Sequence, residues 1–415
     1  MSNKGLFGVL VLFLIIFQNV QIYSREKELN LKEYSGTIKD AKNKKGIGNV
    51  NISLEGTDIG TVTNADGFFT IKIPQEFSSK GLKIDHIGYQ SVYLSSDLYS
   101  RSPVNILLTP TGKVLDELMV LGGDPYEIVR AALRKIPENY SDKDDLFTGF
   151  YRETVQKGNR FINISEGVVD VLKKPYKYRD PRGEKVRIHK GRSLLSPRPS
   201  DTLSVKLMGG PFMPVTLDAV KNGAHLFEES ELGYFEFKMD KPEMIDGRIH
   251  YNISFKPIAN LNYPLNSGRI YIDGENLSIS RVEFSMDMKD KGKVTRSILQ
   301  KKPAGLNFKP IEVSGIVTYR QRDGKSYINY ISSVMKFKCD WKKRLFSSTY
   351  TSKAEMVMTD REEPENKHVK FDDTFGSRNI FSDKLSNYWD ENFWKDYNII
   401  EPTESLEKAV TKLKK

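Results

Sequence analysis

Val50-Asn51-Ile52-Ser53-Leu54 alternates apolar and polar side chains. Thr61-Val62-Thr63 does so again, and Asn64-Ala65-Asp66-Gly67 then turns the chain into Phe68-Phe69-Thr70-Ile71-Lys72-Ile73. A period of two marks half-buried strands, and Asp-Gly supplies the polar cap and positive φ of a tight reversal. Working outward, Tyr34-Ser35-Gly36-Thr37-Ile38, Lys83-Ile84-Asp85-His86-Ile87 and Val104-Asn105-Ile106-Leu107-Leu108 repeat the pattern between Gly, Pro and Asp breaks. Roughly seven short strands at about ten-residue spacing predict an antiparallel β-sandwich over residues 31–122.

The order of these residues is also familiar. Ser35-Gly36-Thr37, Gly46-Ile47-Gly48, Gly56-Thr57-Asp58-Ile59-Gly60, Asn64-Ala65-Asp66-Gly67-Phe68-Phe69, Ile87-Gly88-Tyr89 and Leu115-Asp116-Glu117-Leu118-Met119-Val120 occur in series. This series resembles the carboxypeptidase-regulatory-like domain, a transthyretin-like sandwich of exported Bacteroidota envelope proteins. The resemblance implies a non-catalytic accessory module.

Asp124-Pro125-Tyr126-Glu127 places an N-cap, a proline at the first helical position and an acid in the first turn, predicting a linking helix within 124–140. Strand patterns then return at greater length. Val282, Phe284, Met286 and Met288 alternate with polar residues, as do Met335, Phe337, Cys339 and Trp341. One greasy and one wet face predict a large curved antiparallel sheet with short helices over 141–378, so the chain reads as mainly β. Gly268-Arg269-Ile270-Tyr271-Ile272-Asp273 and Leu277-Ser278-Ile279-Ser280-Arg281-Val282-Glu283 resemble the open half-barrels of periplasmic lipoprotein carriers, and 137–400 is similar to the region that often follows the regulatory-like domain. Residues 379–415 are expected to supply an aromatic lid, with Tyr388, Trp389, Phe393, Trp394 and Tyr397, and a C-terminal helix carrying Leu406, Ala409, Val410 and Leu413 on one face.

Residues 1–24 read as a cleaved secretory signal: Lys4 precedes the 12-residue apolar run Leu6–Phe17, and small Ser24 follows. The rival, a membrane anchor, needs about 20 apolar residues. The 415 residues carry a formal charge of +10 and 38% hydrophobic residues, which excludes a polytopic membrane protein and a disordered chain. Export argues against nucleic acid as the basic chain's partner. The single Cys339 excludes an intramolecular disulfide and a cysteine zinc site, and it sits on an apolar strand face as filler.

No HExxH, G-x-S-x-G or Walker loop occurs, so no catalytic residue, metal ligand or cofactor is assigned. Three candidate sites remain. The apolar face carrying Phe284, Met286, Met288 and Phe337 is a candidate ligand wall, because methionine adapts to varied apolar ligands. The basic stretch 173–198, broken by prolines, reads as a loop, and Lys190, Arg192 and Arg198 are its candidate anion-binding residues. Asp201-Thr202-Leu203 matches an O-glycosylation pattern resembled by exported proteins of that lineage, with Thr202 as acceptor. The reading that follows is an exported, non-enzymatic binding or assembly protein, periplasmic or outer-membrane associated. Its partners would be envelope proteins or a lipid or glycan ligand, with peripheral membrane contact. A hydrolase of envelope glycans or peptides and a structural surface protein are the alternatives. A carboxylate pair in a deep polar cleft favours the hydrolase, and a closed apolar core favours the structural protein.

Overall fold

The structure, a computed structural model, describes residues 30–112, 122–201, 203, 205–207, 209–222, 228–341, 347–363, 374–376, 379–390 and 393–414. The signal reading, the Leu115–Val120 motif and Thr202 lie outside the described residues.

The first module contains β1 (Leu31–Asp40), β2 (Asn51–Leu54), β3 (Gly60–Val62), β4 (Phe68–Pro74), β5 (Leu82–Asp85), β6 (Val92–Leu94), the one-turn α1 (Ser96–Tyr99) and β7 (Val104–Leu108). They form two sheets, β4-β1-β7 and β3-β2-β5-β6. The pairing of β1 with β7 is parallel, where antiparallel neighbours alone were expected. The alternating residues Ile38, Ile52, Phe69, Ile71, Ile84 and Leu108 meet between the sheets and close the core. At the Asn64–Gly67 turn it is Asn64, not Asp66, that ties the backbone: its Oδ1 accepts from Asp66 N and Phe68 N, both at 3.0 Å. Gly67 takes φ +82° there, a conformation side chains rarely tolerate.

The second module opens with α2 (Pro125–Arg134), whose N-cap Asp124 accepts from Tyr126 N, and the single turn α3 (Ile136–Asn139). The strands are β8 (Asp145–Lys157), β9 (Arg160–Lys173), β10 (Lys185–Leu195), β12 (Phe235–Met239), β13 (Glu243–Ile245), β14 (Arg248–Pro257), β15 (Asn266–Asp273), β16 (Ile279–Met286), β18 (Leu306–Arg322), β19 (Lys325–Trp341) and β20 (Ser348–Glu362). They build one open 11-stranded sheet in the order β10-β9-β8-β20-β19-β18-β16-β15-β14-β12, with β13 paired to β14. β11 (Lys206–Leu207) and β17 (Leu299–Lys301) pair separately, and α4 (Phe212–Thr216) and α5 (Lys291–Ile298) lie in the connections.

The register defines two faces. Tyr151, Met356, Ile331, Val317, Val282, Ile270 and Ile253 stand opposite one another across seven strands and bury on the inner face. Val129, Ala132 and Leu133 of α2, Val215 of α4, and Phe375, Phe381 and Leu385 fill that face. A buried ionic cluster anchors the filling. Asp218 accepts from Tyr319 Oη (2.6 Å) and Tyr176 Oη (2.8 Å) and pairs with Lys173 (2.8 Å).

The outer face is wet in sequence yet covered in part. Phe150, Val168, Tyr330 and Val357 pack there with Val62 of the sandwich and with Ile399 and Ile400 of the tail. The expected single lid is therefore divided. α6 (Phe381–Lys384) packs on the inner face, Trp389 bridges Gly191 at the β10 edge, and 394–400 continues on the outer face. The expected C-terminal helix is present as α7 (Glu404–Leu413), with Leu406, Ala409, Val410 and Leu413 against Ile164 and Leu194. The tail also fastens the modules to each other. Thr61 Oγ1 donates to Ile399 O (2.9 Å), and Lys72 Nζ donates to Trp394 O (2.6 Å) and Tyr397 O (3.0 Å).

Candidate functional site: the cleft between sandwich and sheet

The four residues expected to form one apolar ligand wall fall into two clusters. Phe284 joins the large inner core, whereas Phe337, Met286 and Met288 pack with Val294 and Ile298 of α5. Phe337 is fully buried, its ring stacked against Phe308 (4.9 Å) and Tyr350 (5.6 Å). Phe284 also borders an open depression of about 540 Å³ shared with Ser285, Ser314 and Gly315. Cys339 is buried as filler, its thiol pushed up to about 11 by burial.

The expected anion loop is corrected. Residues 185–195 are strand β10, paired along β9, because Val186 and Ile188 alternate into the inner core and, past a register shift between Ile188 and Lys190, Leu194 buries with Ile164 under α7. Arg192 is 7% exposed and bound to Glu166 through Nε (2.9 Å) and Nη2 (2.8 Å), with Trp394 stacked 3.6 Å above its guanidinium. Lys190 pairs with Asp390 at 3.5 Å, and Arg198 lies beyond the strand on an exposed turn. Arg152 completes the row: its Nε donates to Glu166 (2.6 Å) and its Nη2 to Ile400 O (2.7 Å). Burial works to raise the Glu166 carboxyl, but the two arginines hold it below its usual value. This ladder holds the tail through Ile400 and Trp394.

A different site emerges where the sandwich meets the outer face. Residues from β2 and β5 face residues from the ends of β14, β16, β18 and β19 across a cleft of about 340 Å³. Asn51 and Ser53 point into it because their neighbours Ile52 and Leu54 point into the sandwich core. The β13–β14 hairpin reaches over from the large sheet on the turn Asp246-Gly247, both at positive φ (56° and 72°). There Asp246 N donates to Asp85 Oδ1 (2.7 Å), and the Asp246 carboxylate pairs with Lys83. Asn329 Nδ2 donates to Asn51 Oδ1 at 3.2 Å. Below the cleft, Asp58 of the sandwich gathers Arg320, Arg322 and Arg361.

The cations of the cleft are all engaged by acids, two of them sharing one carboxylate. Arg248 pairs with Asp273 (2.8 Å), Arg281 with Glu283 (2.7 Å), Arg320 and Arg322 with Asp58, and Lys83 with Asp246. What faces the open space is a set of oriented amides, hydroxyls and already paired ions, with Tyr93 60% exposed among the lining residues. Burial, reinforced by the neighbouring Asp246 charge, pushes Asp85 up to about 6. Burial, with Arg281 nearby, brings His86 down to about 4, so it is neutral at physiological pH.

The Asp85 shift has a sign. A carboxyl raised above its usual 3.8 favours the folded protein when protonated, so its contribution declines as pH rises from about 4 to about 6. Asp85→Asn is expected to remove that decline. Urea unfolding at pH 4.5 and pH 7 should show the variant gaining about 1–3 kcal/mol on the wild type at the higher pH only. Equal differences at both pH values contradict the assignment.

Sequence reading missed this site. Asp85 and Asp246 are 161 positions apart, and Asn51 and Asn329 are 278 apart. The available signals were local only: Asp246-Gly247 and Asp323-Gly324 as turns, and Arg320 and Arg322 on one strand face. Among the described residues, no group of three or more His, Cys, Asp or Glu is placed to hold a metal ion.

Comparison with known proteins bears on the first module. The CarboxypepD_reg-like domain family matches residues 34–120. The TonB-dependent receptor P3 of Formosa agariphila is 26% identical over 121 residues, which is 29% of this chain and only 11% of the receptor. Among solved structures, a DUF1329 family protein from Desulfovibrio piger aligns over 59% of this chain and 95% of its own, at 10% identity and a TM-score of 0.26. A LolA superfamily protein from Nitrosomonas europaea aligns over 55% and 92%, at 12% identity and a TM-score of 0.22. Scores that low do not equate the folds, and no ligand or role is carried over from them. Residues 34–120 match as a CarboxypepD_reg-like domain, and the described part of that stretch is the two-sheet sandwich, joined here to a large open antiparallel sheet.

Proposed function

We propose that this chain is an exported envelope binding protein that holds a neutral, hydroxyl-rich ligand of the glycan class between its two modules. The observation that carries this reading is the polar cleft of about 340 Å³ whose cations are already engaged by acids. Its volume lies within the range of small-molecule sites, about 300–1,000 Å³. An anion would have to displace acids already in place: Arg248, Arg281 and Lys83 each have one, and Arg320 and Arg322 share Asp58 with Arg361. An apolar ligand would strip water from Ser53 and from the remaining polar atoms of the Asn51–Asn329 pair, which costs affinity. A sugar satisfies such groups through its hydroxyls and stacks on an exposed ring such as Tyr93. The apolar run Leu6–Phe17 in the sequence and the CarboxypepD_reg-like domain support export and an accessory binding role.

A second reading has its own observation. Asp85 and Asp246 sit together in the cleft, burial pushes Asp85 up to about 6, and Lys83 pairs with the Asp246 carboxylate. A proton donor beside a carboxylate is the equipment of a glycoside hydrolase. One experiment separates the two. Titration calorimetry against envelope oligosaccharides should give binding heat without turnover, lost in Ser53→Trp and weakened in Tyr93→Ala. Release of reducing ends that stops in Asp246→Asn selects the hydrolase. No heat with any oligosaccharide rejects both.

A further inference from the structure

The end of the large sheet away from the sandwich combines exposed apolar and exposed basic side chains. The β14–β15 connection there reads Ile258-Ala259-Asn260-Leu261-Asn262-Tyr263-Pro264-Leu265. Ile258 is 64% exposed and Tyr263 41%, although the loop is held in place. Ile258 N donates to Tyr234 O (2.8 Å), and Asp287 N donates to Leu265 O (2.8 Å). Lys293 Nζ of α5 reaches across to Asn260 Oδ1 (2.7 Å), so loop and helix form one surface with a depression of about 370 Å³ between them. Lys289, Lys291 and Arg296 are exposed beside it, and Asp287 and Asp290 are the acids of the same stretch. α5 turns Val294 and Ile298 fully into the core, which leaves its basic residues outward.

An ordered loop that shows isoleucine and tyrosine to solvent, flanked by lysines, matches the chemistry of a bilayer interface. Apolar tips enter at headgroup depth, tyrosine sits at the boundary, and lysines meet anionic lipid. A glycan in the cleft would lie at the opposite end, so the two sites are independent. We propose that loop 258–265 and α5 dock the protein on an anionic membrane surface, with Ile258 and Tyr263 at the interface and Lys289, Lys291 and Arg296 facing the headgroups.

The test is co-sedimentation of the full chain with vesicles of phosphatidylglycerol and phosphatidylcholine, against phosphatidylcholine alone. Comparing variants in the same chain cancels any contribution of residues 1–24. The full chain should bind the anionic vesicles, and Ile258→Glu and the double change Lys289→Glu with Lys291→Glu should each weaken binding about tenfold or more. Unchanged urea midpoints identify the variants as folded. Tyr263→Trp gives a second readout: its emission should shift to the blue on adding anionic vesicles. Failure of the full chain to bind, variants that bind as it does, or an unshifted tryptophan each overturns the proposal. Capture by an envelope protein in place of the vesicles overturns it as well.

Discussion

Asp218→Ala is expected to destabilise the protein by about 3–5 kcal/mol, the cost of leaving buried partners uncompensated. Asp218 is wholly buried and holds four groups at once: Lys173 Nζ, the hydroxyls of Tyr176 and Tyr319, and the Lys221 amide at 3.2 Å. Removing the carboxylate strands Lys173, itself 1% exposed, with Glu184 as its remaining acid. The effect has a pH dependence. Burial works to raise the Asp218 carboxyl, but Lys173 and its other donors hold it below the usual 3.8. Its stabilisation is therefore present above about pH 4 and is lost as pH falls through the lower folded value. Urea unfolding at pH 7 should show the full deficit, shrinking below pH 4. A loss under about 1 kcal/mol at pH 7 contradicts the cluster's role in fixing residues 212–222 to the sheet.

Phe337→Ala should cost a similar amount, about 3–5 kcal/mol, because a fully buried ring leaves a cavity that its neighbours cannot close. Phe308 and Tyr350 lie nearly parallel to it, at interplanar angles of 29° and 15°, so both stacks are lost together. The same variant decides the fate of the apolar-carrier reading. In a filled core it unfolds at lower urea and takes up no fluorescent lipid. A variant of unchanged stability that alters lipid uptake restores Phe284, Met286, Met288 and Phe337 as a ligand wall.

What was legible in the sequence follows from how local its cause is. The sandwich strands are set by turns such as Asn64–Gly67, whose hydrogen bonds span two to four residues. The long strands are set by alternation, which correctly placed Val282 and Phe284 on the inner face. Arg192 shows where local reading stops. A basic run with prolines looks like a solvated loop, and only Glu166, 26 positions back on the neighbouring strand, makes Arg192 a buried partner. The tail shows the same limit. Its aromatic residues announce burial, but nothing local says that Phe381 goes to one face and Trp394 and Tyr397 to the other. The cleft was invisible because it exists only once the sandwich is set on the sheet, through Asp58 and three arginines more than 260 positions away.

The most direct measurement is native mass spectrometry of the full chain recovered from its own host, run beside the Ser53→Trp variant. A ligand between the modules predicts added mass in steps of a sugar residue on the wild type, absent from the variant whose new ring fills the cleft. A wild type that flies as the bare chain, or the same adduct on both proteins, contradicts a binding site at that cleft.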